Sequence, residues 1–207
     1  MQLNNPKFLS VNIIYLYDMF PLEKISLDEI KKTVEVPEVI YNKALNTIIA
    51  GDTENKWHAS IQSTKLEYAD NNSYSFKDRK IDKLYKLLSI VQFAIKAYGV
   101  NLRVQGGIDN SQTAGEYIRD NFLQNREKFE KKFNGDVFAY STRVFLGKPE
   151  NYRDLRFFPV TLQGNSIQID YHLHKDIAIV DSDKLIKDTK DAVEFSIADF
   201  RKIIHAL

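Results

Sequence analysis

Strand-like segments follow one another in groups along this chain, and that grouping is the feature that most limits the folds open to it. In these segments β-branched and aromatic residues are frequent, and apolar residues alternate with polar ones. They comprise residues 8–17, 57–61, 64–68, 157–162 and 167–174. The last two flank a polar turn around Gly164, which predicts a β-hairpin. Because strands in direct succession pair antiparallel, the sequence predicts an α+β fold, with a mostly antiparallel sheet and long helices packed on one face.

Helices are predicted where apolar residues recur every three or four positions. The clearest helix runs from Asp78 to Tyr98, ends at Gly99 and has an apolar stripe through Leu84, Leu88 and Val91. Further helices are predicted from residue 27, over 37–49, 113–133 and 184–191, and from residue 196 onwards. Because Leu88 is central in its stripe, we expect its replacement by Ala to cost about 2–5 kcal/mol.

The length of the chain favours one compact domain. A chain of 207 residues can bury a substantial core without splitting, so we expect a single domain over 1–207. Each half has a group of strands followed by a helix, which makes 1–111 and 112–207 candidates for duplicated half-units. The residues themselves show no repeat, and no Pro-, Gly- or Ser-rich linker marks a boundary.

Composition excludes several classes of function. Cysteine is absent, which removes disulfides, thiolate zinc sites, iron–sulfur clusters and cysteine nucleophiles. A net charge of +1, from 29 Lys and Arg against 28 Asp and Glu, creates no overall field that would hold a polyanion or an acidic membrane. Residues 1–9 lack the features of a signal peptide, and no apolar run approaches the roughly 18 residues of a membrane span. These features predict a cytoplasmic protein with no membrane partner.

The segment 103–110, RVQGGIDN, follows the predicted helix that ends at Gly99. With this order of elements the chain resembles a sporadically distributed family of prokaryotic proteins, in which a strand that begins with Arg and ends with Asn follows such a helix. The matching residues are Arg103, Val104 and Asn110, whereas the glycine pair 106–107 stands where that family has apolar and Arg residues. The family has no assigned activity, so the resemblance implies a bacterial, archaeal or phage source and no site residues.

Asp170, His172 and His174 form the most specific candidate site. Residues two apart in a strand project from the same face, so these side chains are expected in one row, with the apolar residues between them on the other face. Two imidazoles and a carboxylate are the ligands of many Zn²⁺ and Fe²⁺ sites, which would make the chain a metal-dependent enzyme. The alternative, which we favour, is a solvated strand face, because no further His-rich motif offers supporting ligands.

The two interpretations of this row predict different results. For a solvated face, replacing both His residues by Gln keeps the free energy of unfolding within about 1 kcal/mol. For a metal site, added Zn²⁺ raises the melting temperature of the wild type and not that of the double mutant, since a ligand that binds only the native state stabilises it.

Basic and aromatic residues are interleaved between Arg143 and Phe158. The candidate binding residues are Arg143, Lys148, Tyr152, Arg153 and Arg156. The polarity of 148–156 predicts a loop after a strand at 137–146. Positive charge next to aromatic rings is what nucleic-acid binding requires, but Arg and Tyr are also frequent anchors of protein interfaces. A third alternative is that the Arg side chains only solvate the loop, which also contains Glu150 and Asp154.

The sequence contains neither a Gly-x-Ser-x-Gly nucleophile motif nor a glycine-rich phosphate loop with its Lys. A full-sized core without a recognisable catalytic constellation favours a non-enzymatic binding protein that uses no cofactor. Such a protein would be an accessory, regulatory or inhibitory factor of a prokaryotic or phage system, with another protein as its partner. The metal-dependent enzyme and a nucleic-acid-associated factor are the two alternatives.

Overall fold

The computed structural model describes residues 3–72, 80–108 and 112–206, which form one large sheet with helices on one face. The strands are β1 (Asn4–Tyr17), β2 (Glu38–Asn42), β3 (Thr47–Asp52), β4 (Trp57–Ile61), β5 (Lys65–Asp70), β6 (Ile95–Gly107), β7 (Thr142–Lys148), β8 (Asn151–Pro159) and β9 (Ser166–Ile179). The helices are α1 (Leu27–Val34), α2 (Ile81–Ile90), α3 (Ala114–Phe122), α4 (Arg126–Phe133) and α5 (Ser182–Ala206), with a 3₁₀ turn at Leu22–Lys24. The predicted α+β class is therefore confirmed.

Within the described residues the strands are ordered β2-β3-β4-β5-β1-β6-β9-β8-β7, and all neighbouring pairs are antiparallel. β1 and β6 lie side by side at the centre, and β2 and β7 lie at the two edges. The hairpin predicted around Gly164 is confirmed as β8 and β9, and β9 continues to Ile179. The sheet thus brings residues from all parts of the sequence onto one continuous surface.

The order of elements repeats about the centre of the sheet. From β1 and again from β6, the chain passes through helix, then a group of strands, then a final helix. In each round the last strand of the group lies beside the strand that began the round. β5 lies next to β1, and β9 lies next to β6. The second round of elements begins at Ile95, whereas the sequence analysis divided the candidate half-units between 111 and 112. Their duplication stays a prediction.

Alternation along the strands separates a buried face from an open face. The side chains of Ile13, Val100 and Ile169, on the three central strands, are fully buried beneath the helices. α5 packs on β6 and β9, and α3 packs on β8 of the same face. The Tyr15 hydroxyl lies 2.9 Å from Thr189 Oγ1 of α5, so a polar group that is buried here keeps a partner. The helices leave the opposite face of the sheet open.

The helix predicted over 37–49 is instead the β2–β3 hairpin. Asn46 adopts a left-handed φ of 45° in the turn, and the Asn42 side chain accepts a hydrogen bond from the backbone N–H of Leu45. Apolar pairs at 39–40 and 48–49 fit a helical spacing as well as a strand. Pairing of β3 with β4 decides between the two, and this partner is not encoded in the local pattern.

The helix predicted from Asp78 to Tyr98 is shorter in the structure. Asp78 lies outside the described residues, α2 ends at Ile90, and Ile95 begins β6. Leu88 is fully buried, as its position in the stripe predicted. Ile95 and Tyr98 belong to β6, and they are buried because this strand lies between β1 and β9. The helical spacing of the apolar residues therefore does not indicate a helix here.

Two other helix boundaries also differ from the prediction. The single helix predicted over 113–133 is divided into α3 and α4, with Asn125 in the left-handed region at φ 58° between them. The two helices predicted after residue 184 form the single helix α5 of 25 residues. No helix in the described ranges, α5 included, is long and apolar enough to span a membrane.

Candidate functional site

The open face of the sheet has a polar cavity of about 560 Å³. It lies across β1, β6, β9, β8 and β7, so it spans the centre of the sheet and one edge. The side chains that line it alternate with core residues along each strand, among them Asn12, Asn101, Arg103, Arg143, Asp154, Arg156, Asp170 and His172. On many strands, polar residues that alternate with core residues are simply exposed to solvent. On these strands they line a concave site.

Two carboxylates hold three arginines in this cavity. Arg103 Nε and Nη2 donate to Asp170 at 2.9 and 3.2 Å. Arg143 donates from the same two atoms to Asp154 at 2.8 and 2.7 Å, and Arg156 Nη2 donates to Asp154 at 3.0 Å. The three Arg side chains are 51, 50 and 49% exposed, whereas that of Asp154 is 4% exposed. The carboxylates form the floor of the cavity, and the guanidinium groups face solvent.

Burial raises the pKa of Asp154, but the hydrogen bonds from Arg143 and Arg156 outweigh it, and the pKa lies below its usual value. Because the pKa of Asp154 is lower in the folded state than in the unfolded chain, the ionised carboxylate stabilises the folded state. This stabilisation is complete above about pH 4 and is lost as the pH falls through the folded-state pKa. Urea unfolding between about pH 7 and pH 3 is therefore expected to show a steeper acid loss of stability in the wild type than in Asp154→Asn. Asp136→Asn, which removes an exposed carboxylate, is the control. Equal acid slopes in the wild type and Asp154→Asn would contradict this prediction.

Aromatic rings continue from the arginines along the edge of the open face. The Arg143 guanidinium lies 4.5 Å from the ring centre of Phe145, and that ring lies 5.9 Å from Tyr152. Tyr152 stacks on His174, with ring centres 4.8 Å apart and planes inclined by 24°. Phe145 is 57% exposed on the edge strand β7. This row of a cation and three rings can pair charge with stacking.

Polar side chains continue across the centre of the sheet in the opposite direction. Asn12 lies beside Glu67 of β5, Asn101 bonds to Asn12, and His172 of β9 bonds to Asn101. Burial lowers the pKa of His172 and the neighbouring His174 lowers it further, so the ring is neutral at neutral pH. Hydrogen-bonding groups of the open face are thereby joined from one half of the sheet to the other.

Not all of the binding residues predicted from the sequence come together. Arg143, Tyr152 and Arg156 line the cavity. Arg153 lies on the opposite face of β8, where its Nη1 donates to Asp199 of α5 at 3.0 and 3.1 Å. Lys148 is exposed at the end of β7 and does not line the cavity.

The loop predicted over 148–156 is wrong, because this segment is the turn and first part of the β7–β8 hairpin. Tyr152, Asp154 and Arg156 lie on the open face, while Leu155 on the other face is buried. A half-exposed edge hairpin has a loop-like composition when one of its faces is a charged site. The polarity of 148–156 alone therefore did not distinguish a loop from an edge hairpin.

Asp170, His172 and His174 share one face of β9, as alternation predicted. Their partners differ, however: Arg103 holds Asp170, Asn101 holds His172, and Nε2 of His174 lies 2.9 Å from Asp176 Oδ1. Among residues 3–72, 80–108 and 112–206, no group of three His, Asp or Glu side chains is arranged to hold a metal ion. Metal binding by this row stays the alternative to the favoured interpretation as a solvated strand face.

Sequence reasoning missed the contributions of Asn12, Glu67, Asn101 and Arg103. Asn101 and Arg103 alternate with buried apolar residues of β6, which marks them as one face of a strand. That signal would have assigned them to a surface, but not to a surface shared with β9. The partner of Arg103 on β9, Asp170, is 67 residues away along the chain, and the partner of Asn101, His172, is 71 residues away.

No family model and no curated protein matches this chain. Among solved structures it is similar to Methanococcus jannaschii TBP, with 12% sequence identity and a TM-score of 0.38. The match covers 98% of this chain and 99% of that one. At this distance the likeness assigns neither a family nor a function.

Proposed function

We propose that this chain is a non-enzymatic binding protein that holds a single-stranded nucleic acid on the open face of its sheet. The observation that supports this most is the row formed by Arg143, Phe145, Tyr152 and His174, in which a half-exposed cation lies against the first of three successive rings. A nucleotide presents a phosphate next to a flat base. Charge neutralisation and stacking side by side are therefore suited to this ligand.

The arginines remain able to bind phosphate although each is paired with a carboxylate. A guanidinium has five N–H donors, and the two that a carboxylate takes leave three. The pairing with Asp154 and Asp170 also holds the three side chains in place, which lowers the entropy cost of binding. Three guanidinium groups against two carboxylates leave one positive charge in the cavity, although the chain as a whole is nearly neutral.

A single strand fits this surface better than a duplex. Bases can stack on protein rings only where they are not already stacked within a duplex, and the amide, imidazole and hydroxyl groups of an open sheet can reach their edges. Asn12, Asn101 and Gln168 supply such groups near the arginines. Charged, aromatic and neutral polar residues of the open face thus each have a role in binding.

The test is fluorescence anisotropy with a labelled, mixed-sequence single strand of about 12 nucleotides over a range of salt concentrations. Phosphate contacts by Arg103, Arg143 and Arg156 are expected to give a slope of about −2 in log K against log salt, since each contact contributes about −0.7 for single strands. Replacing Arg143 and Arg156 by Ala is expected to reduce affinity by roughly tenfold or more and to reduce the slope to about −0.7.

Arg153→Ala is the matched control, because Arg153 is on the same strand but faces α5. Its binding and salt slope are expected to equal those of the wild type once thermal melting shows that it is folded at the assay temperature. Absence of binding to any oligonucleotide at about 50 mM salt would contradict the proposal. In that case the protein partner and the metal-dependent enzyme predicted from the sequence would be the remaining candidates.

A further inference from the structure

The hydrogen bonds across the centre of the open face have a direction. A carboxylate can only accept, so Glu67 requires Asn12 Nδ2 to donate to it, at 2.7 Å. Burial raises the pKa of Glu67, but Lys65, 3.0 Å away, and Asn12 lower it more, which keeps the carboxylate ionised. The amide of Asn12 is thereby oriented by a charged group at one end of the network.

Each further bond then follows from the one before. With its nitrogen turned to Glu67, Asn12 presents its oxygen, which accepts from Asn101 Nδ2 at 3.1 Å. Asn101 Nδ2 also donates to the backbone oxygen of Asn12 at 3.3 Å, so the Asn101 side-chain oxygen faces His172. His172 Nδ1 lies 2.7 Å from that oxygen and must donate to it. In the neutral ring, Nε2 consequently carries a lone pair and no proton.

The backbone beneath His172 keeps the ring in this place. A Cβ atom at Gly99 would lie 2.6 Å from His172 Cε1, so only glycine lets the imidazole lie this close to β6. The ring is half-buried, lines the cavity and has its centre 5.9 Å from that of Tyr152. Within the described ranges of the chain, no hydrogen-bond partner lies at Nε2. The ring is therefore held by Nδ1 and has an acceptor available at Nε2.

We propose that His172 Nε2 accepts a hydrogen bond from the C4 amino group of a cytosine, or the C6 amino group of an adenine, that stacks in this cavity, and so favours these bases over uracil and thymine. Cytosine has an amino donor at the position where uracil and thymine have a carbonyl oxygen. A carbonyl oxygen opposite an imidazole lone pair leaves both acceptors unpaired. This inference rests on the proposed binding of a single strand and assigns its base preference.

Oligonucleotides of about 12 deoxycytidines or deoxyuridines isolate this contact, because cytosine and uracil are the same size and differ only along the edge in question. The wild type is expected to bind the cytosine strand about tenfold more tightly at neutral pH, the usual cost of one unpaired acceptor in a site. His172→Phe retains a ring but has no acceptor, and its ratio is expected to fall to about one. His58→Phe is the matched control, because His58 is exposed on β4 and does not line the cavity, and the ratio is expected to persist.

The orientation of the network can be measured without a ligand. Two-bond ¹⁵N–¹H spectra of the protein report which nitrogen of His172 carries the proton, and we expect Nδ1. In Asn101→Leu, which removes the acceptor of that proton, we expect a mixture of both tautomers and a lower cytosine preference. Asn101 is a positioning residue in this respect, and a purely structural role would not change the tautomer.

The possible outcomes separate this inference from the proposed function. Equal binding of the two strands by the wild type, or a proton on Nε2, overturns the base preference and leaves single-strand binding in place. Absence of binding to both strands overturns the two together. A cytosine preference that is lost in His172→Phe and kept in His58→Phe supports the inference.

Discussion

Replacing Phe200 with Ala is expected to lower the free energy of unfolding by about 3–5 kcal/mol. Phe200 is fully buried on α5, and its ring centre lies 6.0 Å from those of Phe8 on β1 and Tyr171 on β9. The substitution removes the apolar contacts and leaves a cavity between the helix and two strands. The strands are held by their neighbours in the sheet, so the cavity can close only in part.

Phe195→Ala is a matched control for this prediction. Phe195 belongs to the same helix and has the same side chain, but it is 50% exposed. Its removal is expected to change the free energy of unfolding by about 1 kcal/mol or less. Urea unfolding of the three proteins, followed by circular dichroism, measures both values. Losses of similar size in the two variants would show that α5 does not cover the sheet as described.

Leu88→Ala is expected to cost about 2–5 kcal/mol. The Leu88 side chain is fully buried in α2, a helix that packs against α1 and α5. Loss of the Leu88 side chain affects the contact between helices, whereas Phe200→Ala affects the contact between helix and sheet. The same unfolding experiment applies, and Ser89→Ala, an exposed change one residue further along α2, is the control. A loss below about 1 kcal/mol for Leu88→Ala would contradict the placement of this side chain in the core.

The arrangement of the core accounts for the position of the candidate site. All helices that contact the sheet in the described residues do so on the face of Ile13, Val100 and Ile169, which leaves the other face open. On that face, Asp154 is buried without being in the core, because Arg143 and Arg156 cover it. The charged site therefore lies on a surface that the core supports from behind.

The sequence by itself determined the class of fold and the faces of several strands. In 167–174, Ile169 and Tyr171 are buried and Asp170 and His172 are on the open face, as alternation required. The start of α1 at Leu27 was also predicted, and the side chain of Ser26 accepts there from the backbone N–H of Glu29. These features depend on residues within one turn or one strand of each other. Local geometry is sufficient for them.

The tertiary structure alone decided which strands lie side by side, and with them the site. Residues 95–98 have a helical spacing of apolar residues but become a strand, because β1 and β9 supply hydrogen bonds on both sides. The pair of Arg103 with Asp170 and the bond of Asn101 to His172 exist only because β6 and β9 are neighbours. Such pairings join residues that are distant along the chain, and their stability depends on the burial of the whole sheet face. No local pattern encodes these pairings. The sequence could therefore indicate candidate residues, but their partners depend on which strands are neighbours in the fold.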